Sequence, residues 1–470
     1  MKRKHARRTR PTQKAPPSPA VPMSVSPEPF SQRLFAPVDI ASIALFRVAF
    51  GLLMLWDMLQ YLLAGWLESY LVPPFLFKYP GFGWVERAAP ATMKLIFVAM
   101  AIAAVLIALG LFYRAACAAF FVGHTYMLLL DTAHYQNHLY LISLLAFLLI
   151  LIPAHGALSL DARRKKHLRS ATIPAWCLWL LRVQIGIPYF YGGLAKLNSD
   201  WLLRAQPMRL WLIEGEGRLP PFFREAWAAY GICWGGLIFD LLIVPALLWR
   251  RTRIPALVLA ALFHLTNSQL FEIGVFPWLM LAALGLYVAP DWPRRWGLIG
   301  RFDRKLSSVR EGSSPSAPTR QQVVLAFLAV WLGFQLLVPF RHFVYGGNVD
   351  WTERGHRFSW RMKLRDKRGD VQFVAIDSAS RRAFPLGDLG AAVSPAQRRM
   401  MEHDPEMMRQ LAHFLAARLR EVGRGDLEVH AITAISFNGR PKQHLVDPAV
   451  DLAHLPGSAD PASWIEPLRQ

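Results

Sequence analysis

One lysine lies where a membrane would make its charge costly. Lys196 follows an apolar segment that begins near Ile173, in the run IPAWCLWLLRVQIGIPYFYGGLAKLNSDW. An ionisable group at such a place is a candidate functional group. Because burial in a low-dielectric medium disfavours the ammonium form, Lys196 can act as a neutral base near pH 7. The alternative is a structural lysine whose charged end reaches the membrane–water interface.

Other polar side chains lie within the apolar segments, and some of them can be structural. Arg47 with Asp57, or Arg182 with Asp240, could neutralise one another inside a helical bundle. The remaining polar residues of these segments are His124, His138, Gln184, His264, Asn267 and Gln269. Their depth in the membrane separates structural from functional candidates.

Three separated segments bring some of these residues to one depth, near the outer leaflet. One segment begins with an amide and an imidazole, one ends with the lysine, and one carries an imidazole and two amides in its outer half. In chain order these residues are Asn137, His138, Lys196, His264, Asn267 and Gln269. Scattered structural residues would not converge in this way, so we predict an outward-facing active or binding site.

Motifs for other chemistries are missing from the sequence. The spans contain no H-E-x-x-H or C-x-x-C pair, so no metal site is predicted. There is also no G-x-S-x-G elbow, phosphate-binding glycine loop or dinucleotide fingerprint. These observations exclude the common soluble hydrolase and nucleotide-dependent classes.

The elements that carry the candidate residues follow from composition. The chain has 470 residues, of which 54% are hydrophobic, and this predicts an integral membrane protein. Its formal charge of +21 comes from cations between the apolar segments, which is the positive-inside pattern. We therefore predict membrane lipid, and no nucleic acid, as a partner. The three cysteines lie in apolar segments and give no disulfide framework.

The hydropathy pattern predicts eight or nine transmembrane helices. The apolar segments cover about 40–64, 93–113, 115–131, 136–153, 174–195, 226–249, 254–271, 274–290 and 322–340. Basic stretches at 161–169, 249–253 and 294–310 fall on the cytoplasmic side if the N-terminus is cytoplasmic and the spans alternate. An odd number of spans then places the chain after residue 341 outside the cytoplasm.

We therefore predict a polytopic α-helical membrane protein with a small C-terminal α+β extracytoplasmic domain. Residues 1–38 are predicted to be a disordered basic cytoplasmic tail, 39–340 the transmembrane domain and 341–470 the α+β domain. A linker is expected at 306–320. In the last domain, 362–377 favours two short strands with a turn at 368–370, 395–423 an amphipathic helix, and 427–438 a further strand.

Several runs resemble the vitamin K-dependent γ-glutamyl carboxylase family. In the membrane region they are NHLYLISLLAFLLILI (137–152), LRVQIGIPYFYGGLAKLNSDW (181–201), FHLTNSQLFEIGVFPWLML (263–281) and PDWPRR (290–295). Beyond it they are VPFRHF (338–343), WTERGHRFSWRMK (351–363), DPAVDL (447–452) and SWIEPL (463–468). The resemblance runs in the same order from about residue 40 to the end of the chain.

This resemblance implies a carbon–carbon lyase that converts peptide glutamate to γ-carboxyglutamate. The cofactor would be vitamin K hydroquinone, with O2 and CO2 as co-substrates and vitamin K epoxide as the second product. In that family a lysine deprotonates the hydroquinone, and the oxygenated quinone becomes the base that removes the γ-proton. The family's lysine position falls on Lys196, and its histidine linked to the carbanion and CO2 step falls on His138. The resemblance also places His264 and Asn267 in the chamber for the quinone and the glutamate. We assign cofactor binding to these two residues, to Asn137 beside His138 and, by its depth, to Gln269.

The sequence departs from animal members of that family at two places. Their adjacent lysine pair is here Ala195-Lys196, and the chain ends soon after SWIEPL. We therefore expect a bacterial homologue in the inner membrane, acting on a glutamate-containing peptide or protein. Two alternatives stay open: a membrane enzyme that epoxidises a quinol without carboxylating protein, and a non-enzymatic membrane module that binds an extracytoplasmic partner.

Overall fold

The computed structural model describes residues 30–215, 220–270, 273–298, 318–387 and 389–469. Most of the predicted tail and of the predicted linker at 306–320 lies outside the described residues. The described end of the tail is ordered, because helix α1 (Phe30–Phe35) is followed by strand β1 (Pro37–Asp39). This strand pairs antiparallel with strand β2 (Thr172–Pro174). The prediction of disorder through residue 38 is therefore wrong for residues 30–38. The pairing joins the residues just before the first long helix (Ala41–Leu63) to the residues just before the helix Ala175–Ala195.

The membrane region is a helical bundle built on long apolar helices. Its helices are α1 (Phe30–Phe35), α2 (Ala41–Leu63), α3 (Glu68–Leu71), α4 (Pro90–Leu109), α5 (Tyr113–Leu130), α6 (Asn137–Leu151), α7 (Leu160–Arg164), α8 (Ala175–Ala195), α9 (Ser199–Leu203), α10 (Met208–Glu214), α11 (Ala226–Leu248), α12 (Arg253–Leu270), α13 (Phe276–Leu284), α14 (Trp292–Arg295) and α15 (Pro318–Leu337). Strands β1 (Pro37–Asp39) and β2 (Thr172–Pro174) complete it. One hydrophobic core joins most of the long helices, from Ile40 to Tyr287, and a separate small cluster contains Trp201, Leu212 and Cys233 of α9, α10 and α11.

Four of the described helices are long and apolar enough to cross a membrane. They are Ala41–Leu63, Pro90–Leu109, Ala226–Leu248 and Pro318–Val344, the last including a 3-10 extension of α15. The chain is therefore a helical membrane protein, whereas the number of eight or nine spans stays a prediction. Helix α13 has only 9 residues, where a span was predicted at 274–290. At 1.5 Å per residue it is about 14 Å long, which cannot cross a core of about 30 Å.

The C-terminal region contains a three-stranded antiparallel sheet packed against helices. The strands are β3 (Lys367–Asp377), β4 (Ala383–Pro385) and β5 (Leu427–Phe437), in the order β4-β3-β5. The helices are α16 (Val349–Thr352), α17 (Pro395–Met401) and α18 (Pro405–Glu421). A second hydrophobic core lies between the sheet and α18. The predicted strand at 427–438 is confirmed.

Two local predictions for this region are wrong. The turn expected at 368–370 does not form, because β3 runs without interruption and Gly369 pairs with Ile435 of β5. A Cβ on Gly369 would lie 1.9 Å from the carbonyl oxygen of Ala434, so glycine serves here for close strand approach. The helix expected at 395–423 is two helices, because Pro405 starts α18 with Asp404 as its N-cap.

Candidate active site

Lys196 lies immediately after the last residue of α8 and is buried. Its Nζ donates hydrogen bonds to Asp240 Oδ2 at 2.6 Å and to the Gly192 carbonyl oxygen at 3.2 Å. Trp201 of α9 lies beside the ammonium group, with Nζ 5.3 Å from its ring centroid. Its indole Nε1–H donates to the Cys233 carbonyl oxygen at 2.7 Å, which fixes the ring. The lysine is therefore held within the protein and does not extend to the interface.

Asp240 is a site residue that the sequence analysis did not assign. It lies in α11, where a Cβ on Gly192 of α8 would approach its Oδ2 to 3.2 Å. The close approach of the two helices at this glycine brings the carboxylate to the lysine. The predicted pairing of Asp240 with Arg182 is wrong, because Arg182 donates to the carbonyl oxygens of Leu286 and Val288.

The other predicted pair is also absent among the described contacts. Arg47 donates to the carbonyl oxygens of Ile107 and Leu158, and Asp57 Oδ2 is buried without a partner. Arg47 therefore bonds backbone carbonyl oxygens near the C-terminal end of α4 and ahead of α7, as a structural arginine does. Among the polar residues of the spans, His124 is also structural in its contacts, since its Nδ1 lies 2.8 Å from Ser143 Oγ.

Two of the predicted histidines lie on either side of one aromatic ring. His138 stacks on Phe276 with centroids 6.0 Å apart, and His264 meets the same ring edge-on at 6.0 Å. Tyr189 Oη lies 2.5 Å from His264 Nε2. The Nδ1 atom of His264 is buried without a hydrogen-bond partner among the described residues. The structure thus brings His138 and His264 together around Phe276 and leaves one ring nitrogen available.

Tyr189 is a second residue that the sequence analysis missed. It precedes Lys196 by seven residues in α8, so both lie on one face of the helix, about two turns apart. Phe239, the neighbour of Asp240 in α11, contacts the Tyr189 ring at 6.0 Å. Ring contacts therefore connect Tyr189, on the Lys196 face of α8, with His264 and with Phe239 of α11. The spacing of seven within the run YFYGGLAK was the signal available in the sequence.

The three predicted amides have different surroundings. Asn137 Oδ1 accepts from Tyr135 Oη at 3.0 Å, and its Nδ2 donates to the Arg361 carbonyl oxygen at 3.3 Å. Asn267 is half-buried in α12, one turn after His264. Gln269 is exposed and donates to Ser268 Oγ at 3.3 Å. The assignment of Asn137 and Asn267 is compatible with these positions, whereas Gln269 does not join the others.

Residues 353–363 of the C-terminal region lie against the outer ends of the site helices. Besides the Asn137 contact, Met362 Cε would lie 3.3 Å from a Cβ on Gly192, and the Trp360 ring stacks on Tyr140 at 5.0 Å. The backbone has positive φ at Glu353, Phe358, Trp360 and Lys363, with values of 61°, 61°, 56° and 57°. Positive φ at non-glycine residues is strained and clusters at functional sites. The 353–363 segment therefore packs against α6 and against α8 at Gly192.

An ion pair joins the C-terminal region to the short helix that follows Lys196. Arg440 donates to both carboxylate oxygens of Asp200 in α9, each at 2.7 Å, and Asn438 Nδ2 donates to Asp200 Oδ2 at 2.9 Å. Burial raises the pKa of Asp200, but the hydrogen bonds from Arg440 and Asn438 outweigh it and hold the pKa below the ordinary value. The chain after Lys196 is therefore anchored to the C-terminal region.

Comparisons with known protein families cover both regions. Residues 35–292 match the HTTM domain family, and residues 320–470 match the lumenal domain of vitamin K-dependent gamma-carboxylase. The second match indicates that the C-terminal region is extracytoplasmic. A comparison with solved structures finds no match. Both matches follow the chain order expected from the sequence, and they confirm the predicted resemblance. The chain belongs to the vitamin K-dependent gamma-carboxylase family.

Proposed function

We propose that this protein carboxylates glutamate side chains of an extracytoplasmic peptide or protein, with vitamin K hydroquinone, O2 and CO2, and releases vitamin K epoxide. The observation that carries the proposal is the Lys196 amine, which is buried at the outer end of α8 with one carboxylate partner. It occupies the position of the family's base. An ionisable group buried in a membrane protein is a functional candidate, and Lys196 has only two described acceptors.

The residues around Lys196 and the two histidines fit a flat, largely apolar ring that carries hydroxyl groups. The rings of Phe276, Tyr189 and Phe239 supply aromatic walls. The unpartnered Nδ1 of His264 supplies a polar group for an oxygen atom. Sites for small molecules are mostly apolar with a few polar groups that fix orientation. His264, Asn137 and Asn267 are therefore proposed to hold the quinol.

The proposed chemistry divides between the quinol and the side chains. When bound, reduced vitamin K supplies after reaction with O2 a base stronger than any side chain, which the weakly acidic γ-proton requires. Lys196 Nζ takes the proton from the hydroxyl group. His138 lies at the start of α6, beside the 353–363 segment, and is proposed to serve the later carbanion and CO2 step. The 353–363 segment and the aromatic rings exclude water that would quench it.

The arrangement also fits the delivery of the two substrates. A lipid-soluble quinol can enter between the apolar helices, whose outer faces expose residues such as Leu262, Leu265 and Trp278. A peptide arrives at the extracytoplasmic region, which contacts the site through Asn137 and Arg361. Reaction at the outer end of the bundle therefore lets an apolar and a polar substrate meet.

The test is fixation of labelled CO2 into a glutamate-containing peptide by the purified protein in nanodiscs, with vitamin K hydroquinone and O2. Epoxide is measured in the same samples. Lys196→Ala should lose both products, whereas Lys94→Ala, at an exposed lysine of α4, should keep both. Epoxide without fixed label from the wild type would favour the quinol enzyme. Neither product from folded protein would favour the non-enzymatic membrane module.

A further inference from the structure

The proposed mechanism leaves the buried carboxylate beside Lys196 without a role. Asp240 Oδ2 lies 2.6 Å from Lys196 Nζ, and the two side chains are only 9% and 10% exposed. An adjacent carboxylate favours the ammonium form of a lysine, and an ammonium group cannot accept a proton. A base at Lys196 therefore needs a group that removes a proton from Nζ when the substrate arrives.

Few other titratable groups face this pair. Tyr189 of α8 and Cys233 of α11 are a phenol and a thiol, which are uncharged at neutral pH in their ordinary states. From α9, Trp201 presents an indole ring, and from the 353–363 segment Met362 presents a thioether. Two cations flank Met362 in that segment: Arg361 is engaged with Asp350 through hydrogen bonds of 3.0 and 2.6 Å, and Lys363 has its Nζ 5.5 Å from the ring centroid of Trp211.

The hydrogen bonds of Nζ define the direction of proton movement. Nζ has three protons as an ammonium group, and its described acceptors are Asp240 Oδ2 and the Gly192 carbonyl oxygen. A carbonyl oxygen does not take up a proton at neutral pH, whereas a carboxylate can. No third acceptor for Nζ is found among the described residues, and we assign the third position to a substrate hydroxyl group.

We propose that Asp240 is a positioning residue that acts through Lys196 by accepting its proton. As Nζ takes a proton from the substrate hydroxyl group, one N–H bond of Nζ breaks and an O–H bond forms at Oδ2. The substrate O–H bond breaks and a new N–H bond forms, and no electron leaves any group. The net result is a neutral carboxylic acid, an ammonium group and a substrate oxyanion. This step rests on the proposed function.

The charge balance of this step suits a buried site. Before the transfer the pair has no net charge, because ammonium and carboxylate compensate one another. After it the pair carries one positive charge, directly beside the new negative charge of the oxyanion. A low-dielectric site strongly penalises an uncompensated ion, so the ammonium stabilises the oxyanion in place of water. A lone lysine that started as an ammonium group could not accept the proton.

The direction of a pH shift distinguishes proton acceptance from a purely structural contact. If Asp240 accepts the proton, the wild type works as the neutral pair, and only further protonation of that pair at low pH inactivates it. In Asp240→Asn the lysine must first lose its own proton to solvent. The acidic limb of the profile of kcat/KM for the hydroquinone should then move to higher pH, by about 1–3 units. At a pH on that limb this is a loss of about 10- to 1,000-fold.

The control variants keep the test specific. Asp240→Glu retains a carboxyl group and should keep the limb at its wild-type position. Asp57→Asn removes a buried carboxyl group of α2 that has no hydrogen bond to Lys196, and its profile should match the wild type. If the Asp240 carboxylate instead only stabilises the ammonium form of Lys196, its removal shifts the acidic limb to lower pH. That result, or an unchanged limb, would overturn the proposal.

Infrared difference spectroscopy gives a second measurement that needs no turnover. Hydroquinone added to the wild type under argon should produce the C=O band of a protonated carboxylic acid, at a frequency that changes in Asp240→Glu. No such band in the wild type would reject the proposal even if Asp240→Asn does not fold. An active wild type without the band contradicts only the role of Asp240. The band without carboxylation or epoxidation contradicts the proposed function and leaves the proton transfer standing.

Discussion

Two buried lysines of this protein are paired with carboxylates, one in the membrane region and one in the extracytoplasmic region. Lys196 meets Asp240 at 2.6 Å, and Lys367 meets Glu353 at 2.7 Å. Each ammonium group also lies near an indole ring, at 5.3 and 5.7 Å from its centroid. By burial and by pairing the two lysines look alike, so the difference between them lies in their remaining contacts.

Lys367 uses all of its donors within the protein. Its Nζ donates to Glu353 Oε1 and to the carbonyl oxygens of Trp351 and His403, each at 2.7 Å. Glu353 is shared with a second cation, since Arg365 Nε also lies 2.7 Å from its Oε1. Burial is the main cause that holds the pKa of Lys367 below its ordinary value. With three acceptors satisfied, this lysine has no position for a substrate atom.

The Nζ of Lys196 has two described acceptors for the three protons of its ammonium form. A buried charge is tolerated in both places because a carboxylate compensates it, but only the incompletely bonded lysine can react. The comparison teaches that burial and pairing do not by themselves mark a catalytic lysine. The number of acceptors around Nζ separates a lysine that stabilises the fold from one that can exchange a proton.

The strongest way to break this comparison is to replace each lysine by methionine and measure activity and stability together. Lys196→Met should lose activity by about 10²–10⁴-fold, the contribution of a general base, while the protein stays folded. Lys367→Met should instead destabilise the extracytoplasmic region by about 3 kcal/mol, because it leaves Glu353 buried with Arg365 alone. Hydrogen exchange at β3 and β5 measures the destabilisation by Lys367→Met, and labelled CO2 fixation measures the loss of activity in Lys196→Met.

The two variants control for one another. Equal loss of activity in both, with equal exchange protection, would contradict the distinction between a reactive and a structural lysine. Strong destabilisation by Lys196→Met with an unaffected Lys367→Met would reverse it.

Much of the membrane region could be predicted from the sequence, because a span must be apolar over a length set by the bilayer. The segment predicted at 40–64 is α2 at Ala41–Leu63, and the segment at 226–249 is α11 at Ala226–Leu248. The short α13 was not predicted, because hydropathy is the same for an apolar helix and for apolar turns. The wrong turn at 368–370 came from a glycine whose actual role depends on a strand 60 or so residues later.

The site residues were predicted from their depth, and their contacts could not be predicted. The pattern of spans predicts that Lys196, His138 and His264 lie at one end of the bundle, and the structure shows that the two histidines flank one ring. Asp240 could not be assigned, because its pairing with Lys196 or Arg182 depends on which faces of α8 and α11 meet. Neighbouring glycines at 192 and 193 set that contact, which only packing reveals. Gln269 was included by depth alone, and its side chain faces away.

His138 provides a further test within the membrane region, because it separates the carboxylation step from the first proton transfer at Lys196. No described hydrogen bond joins it to Lys196 or Asp240, so it should not affect the first proton transfer. His138→Ala should reduce carboxylation by about 10²-fold while epoxide continues to form. The ratio of fixed label to epoxide measures this uncoupling. A parallel loss of both products would place His138 at the same step as Lys196, and His264→Ala provides the comparison for a quinol-binding histidine.

The smallest expected effect is a pH dependence of stability beside Lys367. Burial, with a further contribution from the charges of Lys367 and Arg365, lowers the pKa of His403 to about 4. In the unfolded chain a histidine titrates near 6.5, so as the pH falls below about 6.5 the unfolded state binds a proton that the folded state does not. The contribution to stability is fully present above that pH and decreases toward pH 4, by about 1 kcal/mol at pH 5.5.

Apparent melting temperatures of the full chain in nanodiscs between pH 7.5 and 5 would measure this effect, with His403→Gln as the variant that cannot titrate. The variant should lose less stability on acidification than the wild type. Because Lys367 donates to the His403 backbone carbonyl oxygen, which the substitution retains, the lysine contacts should persist. An equal pH dependence in both proteins would show that protonation of His403 does not change the stability of the region around Lys367. Of the two lysine–carboxylate pairs, only Lys196–Asp240 would then respond to pH.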